Sequence, residues 1–374
     1  MKIAINARFA GQNTIEGYGR FTNGIVNAMA NACPDDQFVM MYDRRPKNSV
    51  IHDRNISEMV KGPAARHPLS WKFWYDVSMP SMARKSKADL VFSPDGFCSL
   101  HSSVPQVLAI HDLAFLHFPS GINSVYRSYY RHYTPRFISK ARHIVTVSEF
   151  SMHDIIAHYP QAKEKISVVY NAAEKGFMPL DWKLKDEAKE KYAGGSEYFL
   201  YAGAIHPRKN LVNLLKGFSW FKNRHRSGMK LILAGRMAWG TDEFVKLIQT
   251  YKYRDEVLTT GYVTDAELQA LMGAAYAVVY PSYWEGFGLP VLEAMQSGVP
   301  VITSSNSSMP EIGGDAAVYC DPRDPEAIGK AMGLLYKDEN HRSALISKGL
   351  ERAAKFTWEN SANTLMEIFR HTAS

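Results

Sequence analysis

Cysteine is scarce: Cys33, Cys98 and Cys320 stand far apart among 374 residues, with no Cys-x-x-Cys pair. That argues against a disulfide framework and a zinc site, and points to a reducing cytoplasm. No Asp-x-Asp occurs anywhere and the histidines show no paired ligand spacing, so no metal centre is expected. No apolar run approaches the ~18–20 residues of a membrane span. The opening Met1-Lys2-Ile3-Ala4-Ile5-Asn6 reads as a strand, not as a signal peptide. Low-complexity tracts and short-period repeats are missing. So are Lys/Arg-dense segments and known nucleic-acid modules, so no nucleic-acid partner is expected.

What is present is a globular composition, 46% hydrophobic and 22% charged, in a chain long enough for two domains. The net charge of +7 is uneven: residues 1–178 carry 21 Lys and Arg against 14 Asp and Glu, whereas 179–374 carry 23 of each. The basic first half fits an acidic partner, such as a lipid diphosphate or an anionic membrane surface. It fits ordinary scatter of surface charge equally well.

Strand and helix patterns alternate throughout, as in parallel sheets with helices on both faces. Strands are expected at 2–7, 38–42, 89–93, 106–110, 143–147 and 166–170, then at 198–202, 230–234, 257–259, 277–280 and 299–303. Residues 11–19 read as a loop and 20–32 as a helix. Residues 57–84 read as irregular around an aromatic cluster at 71–75 (Trp-Lys-Phe-Trp-Tyr), and 124–138 as a helix rich in Tyr and Arg. A linker at 171–179 would join two similar α/β halves and imply a ligand cleft between them.

The stretch 281–298 (PSYWEGFGLPVLEAMQSG) is the most informative. A buried strand precedes it; Pro290 suits a first helical turn and Gly298 a helix end. A glycine-containing loop therefore brings a helix N-terminus to the carboxyl end of a strand, where open α/β sheets bind ligands and backbone N–H groups suit a phosphate. Glu285 and Glu293, with seven residues between them, frame the site. Carboxylates accept hydrogen bonds from hydroxyls, so a ligand with hydroxyls on both sides of its phosphates, such as a nucleotide sugar, fits. Two solvated glutamates on a plain strand–turn–helix fit the same letters.

Three other segments follow predicted strands. Gly17 and Gly19 allow close backbone approach to a ligand, but as a dinucleotide fingerprint they fail, because Thr22 stands where a third glycine or alanine belongs. His111 sits at a strand end, oriented or capped by Asp112; a structural histidine is the plainer reading. Arg208 and Lys209, in the loop Pro207-Arg208-Lys209-Asn210, can neutralise a diphosphate, with Asn210 as a helix cap. Adjacent surface cations are also common.

Taken together and in order, these segments resemble the family 4 glycosyltransferases, retaining enzymes of the GT-B fold, in which two Rossmann-like doubly wound α/β domains face a central cleft. The resemblance rests on 285–294 (EGFGLPVLEA) followed by Gly298-Val299-Pro300-Val301. Gly19-Arg20-Phe21, His111-Asp112, Val147-Ser148-Glu149, 207–210, Gly261-Tyr262-Val263, Pro310-Glu311 and Phe356-Thr357-Trp358 support it. It implies an acceptor-binding domain over 1–175, a donor-binding domain over 176–356, and a C-terminal helix, 357–374, returning to the first domain. Glu285 would hold donor-sugar hydroxyls and Glu293 the ribose. Gly286, Phe287, Gly288 and Leu289 would face sugar and phosphate through their N–H groups. Lys209 would bind the diphosphate, and Arg208 would stand in for the family's arginine after the strand glycine, which here is Ala204. His111 would lie near the reacting face of the sugar, Gly17 and Gly19 would line the phosphates, and Val263 and the Gly235-Arg236 turn would border the base.

The implied reaction moves a hexose, with the 207–210 variant leaning toward a mannose-type donor, from a nucleotide-diphosphate sugar to a glycan or lipid-linked glycan. No metal or other cofactor is expected. The alternatives are a nucleotide-sugar hydrolase or epimerase of the same fold and a non-catalytic nucleotide-sugar-binding module. The aromatic cluster at 71–75 and the helix carrying Arg127, Arg131 and Arg136 would form an acceptor site or a peripheral contact with the inner face of the membrane; an aromatic core with an exposed basic face fits them as well.

Overall fold

A computed structural model describes residues 1–11, 17–47, 54–119, 122–238 and 241–373. The chain divides into two compact units, one of Met1–Ala172 with Thr357–Ser374, the other of Ala173–Phe356. Among the described residues, no helix is long and apolar enough to cross a membrane.

The first unit is built on seven parallel strands: β1 (Lys2–Asn6), β2 (Gln37–Tyr42), β3 (Ile56–Val60), β4 (Leu90–Ser93), β5 (Gln106–Ala109), β6 (His143–Thr146) and β7 (Ile166–Val168). Their order, β3-β2-β1-β4-β5-β6-β7, reverses direction between β1 and β4. Alternation along β1 divides the core: Ile3 and Ile5 join one buried cluster, Ala4 the other. The first cluster contains Phe21, Ile25 and Met29 of the helix Gly17–Ala32 and Leu365, Met366 and Phe369 of the helix Trp358–Ala373. Phe369 meets Phe92 of β4 at 5.2 Å between ring centroids. The chain end is thus part of this unit's core, each buried Leu or Phe contributing about 1.5–3 kcal/mol.

The second unit has six parallel strands: β8 (Tyr198–Ala202), β9 (Lys230–Ala234), β10 (Val257–Gly261), β11 (Ala277–Tyr280), β12 (Val301–Ser304) and β13 (Ala317–Cys320), ordered β10-β9-β8-β11-β12-β13. Strands β8 and β11 are buried along their whole length, as central strands covered on both faces must be. They flank the place where the strand order reverses.

Several expectations need correction. Residues 57–84 are ordered: β3 is followed by helices Pro68–Phe73 and Met79–Lys85 with a π-helical turn, Trp74–Ser78, between them. Of the aromatic cluster, Trp71, Trp74 and Tyr75 are buried, and Phe73 is exposed. An aromatic run has no period of its own, so the letters do not show which rings point inward. Gly17 and Gly19 lie in the first turn of a helix rather than in a loop, and Glu16 falls outside the described residues. Strand β13 and the helix Pro325–Lys337 were not anticipated.

Gly24 marks where the chain end docks. A Cβ there would lie 2.6 Å from Cζ2 and 2.8 Å from Cδ2 of Trp358. Gly24→Val is expected to destabilise the protein by about 1–3 kcal/mol through overpacking. In urea unfolding with hydrogen exchange, protection should fall first in 358–373; unchanged protection there would contradict the docking role.

Candidate active site

In the second unit, loops from β8 and β11 meet at the carboxyl edge of the sheet. The β8 loop turns sharply against its neighbour: Gly203 N–H donates to the Ala234 carbonyl at 2.8 Å, and a Cβ on Gly235 (φ +156°) would overlap the Gly203 carbonyl. After this close approach comes the short 3₁₀ turn Pro207–Lys209, ended by Asn210 in the left-handed region (φ +64°). The expected capping role of Asn210 does not hold. Its amide instead donates to the carbonyls of Pro281 (2.9 Å) and Pro322 (2.6 Å), tying the turn to the loops after β11 and β13.

That tie brings both cations to one acid. Arg208 Nη1 donates to Glu285 Oε2 at 2.9 Å and to the Trp284 carbonyl at 2.5 Å. Lys209 Nζ donates to Glu285 Oε1 and to the Tyr280 hydroxyl, each at 2.5 Å, and Tyr280 donates to the same Oε1 at 3.0 Å. Glu285 is only 7% exposed. Burial by itself pushes its carboxyl up; the charges of Arg208 and Lys209, with the Lys209 hydrogen bond, outweigh this and bring it down to about 2. Tyr280 goes the other way. Burial and then the Glu285 charge raise it far above the usual phenol range, so it stays protonated and donates. Tyr201 stacks beneath it, with ring centroids 5.8 Å apart.

Four polar side chains from β12 and the segment after it fix the loop that carries Glu285. Thr303 donates to the Tyr280 carbonyl (2.9 Å), Ser304 to Ser282 (2.5 Å), Asn306 to Tyr283 (3.0 Å), and Ser308 to both Glu285 (2.9 Å) and Phe287 (2.7 Å). Gly288 (φ +111°) then starts the helix Leu289–Gln296, with Met309 Sδ 3.3 Å from where a Cβ would lie. Glu293 is buried in this helix, as are Gly286 and Phe287 ahead of it, while Leu289 is half-buried. Arg208, Lys209, Glu285, 286–289 and Glu293 thus share one corner of the sheet. Val263, half-buried just past β10, lies on the far edge, three strand positions from β11.

In the first unit, His111 follows β5. Its Nε2 lies 2.9 Å from the Pro94 carbonyl; a carbonyl only accepts, so Nε2 carries the proton and Nδ1 is left as an acceptor. Burial lowers its pKa, which the Pro94 contact only partly opposes, and the imidazole is neutral near pH 7. Tyr18 and Phe21 stand edge-on to the ring at 5.0 and 4.8 Å, which places His111 beside the turn bearing Gly17 and Gly19. At the carboxyl ends of β1 and β4 lies a buried network absent from the sequence reading. Asn6 (2.8 Å) and Tyr75 (2.5 Å) donate to Asp95 Oδ2, and Arg8 donates to Tyr75 (3.2 Å). Burial raises Asp95 despite the Arg8 charge. Tyr280, Ser308 and Thr303 were likewise missed; nothing in a strand residue or a loop serine signals a carbonyl clamp.

The family description "Glycosyl transferases group 1" matches residues 183–352, and "Glycosyltransferase Family 4" matches 23–174. The chain is 30% identical over 289 residues to O-antigen chain mannosyltransferase B of Escherichia coli, covering 77% of this chain and 76% of that protein. It is 26% identical to O-antigen chain mannosyltransferase RfbU of Salmonella typhimurium, covering 83% and 82%. Among solved structures it is similar to HepE of Anabaena in complex with UDP-glucose, at TM-score 0.77 and 16% identity, covering 99% of this chain and all (100%) of that one. The protein therefore belongs to the family 4, or group 1, glycosyltransferases, and its two parallel α/β sheets are those of the GT-B fold.

Proposed function

We propose that this glycosyltransferase moves a mannose-type hexose from a nucleotide-diphosphate sugar to a glycan or lipid-linked glycan during polysaccharide assembly. The observation carrying this reading is the convergence of Arg208 and Lys209 on Glu285 where the second sheet's strand order reverses. Two cations against one carboxylate leave a net positive cluster beside a helix N-terminus, suited to a diphosphate. The O-antigen mannosyltransferases it resembles support the sugar and the setting, and a nucleotide sugar bound to a protein of the same fold supports the donor class.

Chemistry follows from charge. Leaving of the diphosphate adds negative charge on its bridging oxygen, and Lys209 and Arg208 stabilise it without a divalent ion. An ionised Glu285 has no proton to give, so it accepts hydrogen bonds from sugar hydroxyls, while His111 accepts one through Nδ1. The acceptor hydroxyl attacks from the face the diphosphate leaves and passes its proton to the departing phosphate, so the anomeric configuration is retained. Glu293 holds the ribose, the N–H groups of 286–289 face sugar and phosphate, Val263 borders the base, and Gly17 and Gly19 line the phosphates.

Peripheral membrane contact belongs to the same reading. Leu69, Phe73 and Val77 are 80%, 46% and 46% exposed at spacings of four, with Lys72 exposed among them. Trp71 of this segment stacks on Tyr126 of the helix Ser124–Lys140, which exposes Arg131 and Arg136. The membrane-facing side chains in this reading are therefore Leu69, Lys72, Phe73 and Val77 rather than the buried Trp71, Trp74 and Tyr75.

Lys209→Ala is expected to lower kcat for transfer from GDP-mannose about 10²–10³-fold, as loss of one preorganised charge contact does. Added Mg²⁺ should leave the wild-type rate unchanged and the product should keep the donor's anomeric configuration. Full activity of the variant, or an inverted product, would refute the mechanism. In sedimentation with vesicles containing anionic lipid, Phe73→Glu should abolish binding and Arg131→Ala/Arg136→Ala should weaken it; binding unaffected by either removes the membrane contact.

A further inference from the structure

Away from these residues, three potential ligands converge on the surface of the first unit. Asp154 and His158 lie four residues apart, one turn along the helix Glu149–His158, and His117 ends the short helix Ala114–His117. His117 Nε2 is 3.0 and 3.1 Å from the two Asp154 carboxylate oxygens. His158 Nδ1 is 3.2 Å from Oδ1 of the same group, and it also lies 3.0 Å from the Asp154 backbone carbonyl. The two imidazoles stand edge to face with centroids 5.2 Å apart, and one ligand atom from each residue falls within 4.8 Å of the others.

We propose that His117, Asp154 and His158 form a binding site for one divalent transition-metal ion of the Zn²⁺ or Ni²⁺ class. Two ligands ~2.0–2.1 Å from a tetrahedral ion are ~3.3 Å apart, so the nitrogen–oxygen separations need to open only slightly. Two imidazoles and one carboxylate suit Zn²⁺, Ni²⁺ or Cu²⁺ rather than Mg²⁺ or Ca²⁺. Side-chain exposures of 26%, 11% and 37% leave the ligands reachable from solvent, with room for water to complete the coordination. Binding takes the place of the N–H that faces the carboxylate, and each neutral ring keeps its one proton on its other nitrogen.

The site has a structural consequence. Ser151, on the same helix, donates to the His111 carbonyl at 3.1 Å. The His117–Asp154 hydrogen bond is a second link between this helix and the segment that begins at His111, and a metal bridge would replace it with coordination bonds. The sequence concealed the site because His117 lies 37 residues from Asp154.

The test uses the full chain, stripped with chelator and titrated with Zn²⁺ by calorimetry and thermal unfolding, with Mg²⁺ as the control ion. One saturable Zn²⁺ site per chain is expected, with a rise in Tm that Mg²⁺ does not produce. His117→Gln should weaken that site about tenfold or more, and so should His158→Gln, which alters a more exposed position and should leave the metal-free Tm nearly unchanged. Absence of the site in the wild type, or equal Zn²⁺ affinity in the His117→Gln/His158→Gln double variant, would overturn the proposal. The three groups would then be a hydrogen-bonded staple alone.

Discussion

The second unit is arranged around a carboxylate that has been taken out of water and kept charged. Removing Glu285 from solvent costs several kcal/mol, and the cost is met only because Arg208, Lys209 and Tyr280 together cover both its oxygens. A buried ion pair of this kind adds little net stability against an apolar replacement, whereas loss of one partner strands the other. Its plainest explanation is therefore functional. The carboxylate lets the two cations stand side by side without repelling each other.

Such a cluster requires backbone that does not give way, and the surrounding chain supplies it through side chain to main chain bonds. Asn210 spans two carbonyls, and Thr303, Ser304, Asn306 and Ser308 secure the loop from Tyr280 to Phe287. Glycines serve where close approach demands them: Gly235 against the Gly203 carbonyl, and Gly288 at positive φ before the helix. In the first unit the corresponding strand ends hold a neutral His111 and the buried network of Asn6, Arg8, Tyr75 and Asp95.

The legible parts of the sequence were those with local physical signatures. Proline and glycine punctuation placed the loop and helix at 281–298, and short apolar runs placed the central strands. Where a role depends on partners distant in sequence, the letters were silent. Tyr280 looks like any strand residue, yet its hydroxyl donates to Glu285; Asn210 looks like a helix cap and acts as a tether. Trp71 and Phe73 sit in one aromatic run, and only packing on the Ser124–Lys140 helix buries the first and exposes the second.

The ionisation of Glu285 tests the account most directly. Its side-chain carboxyl carbon can be followed by NMR in labelled protein from neutral pH downward, with Glu285→Gln providing the assignment. Held by Arg208 and Lys209 against the upward push of burial, the group should remain ionised through the ordinary carboxyl range and titrate only at about 2. A midpoint between about 4 and 5, where free glutamate titrates, would show that the two cations do not hold it, and would contradict the account.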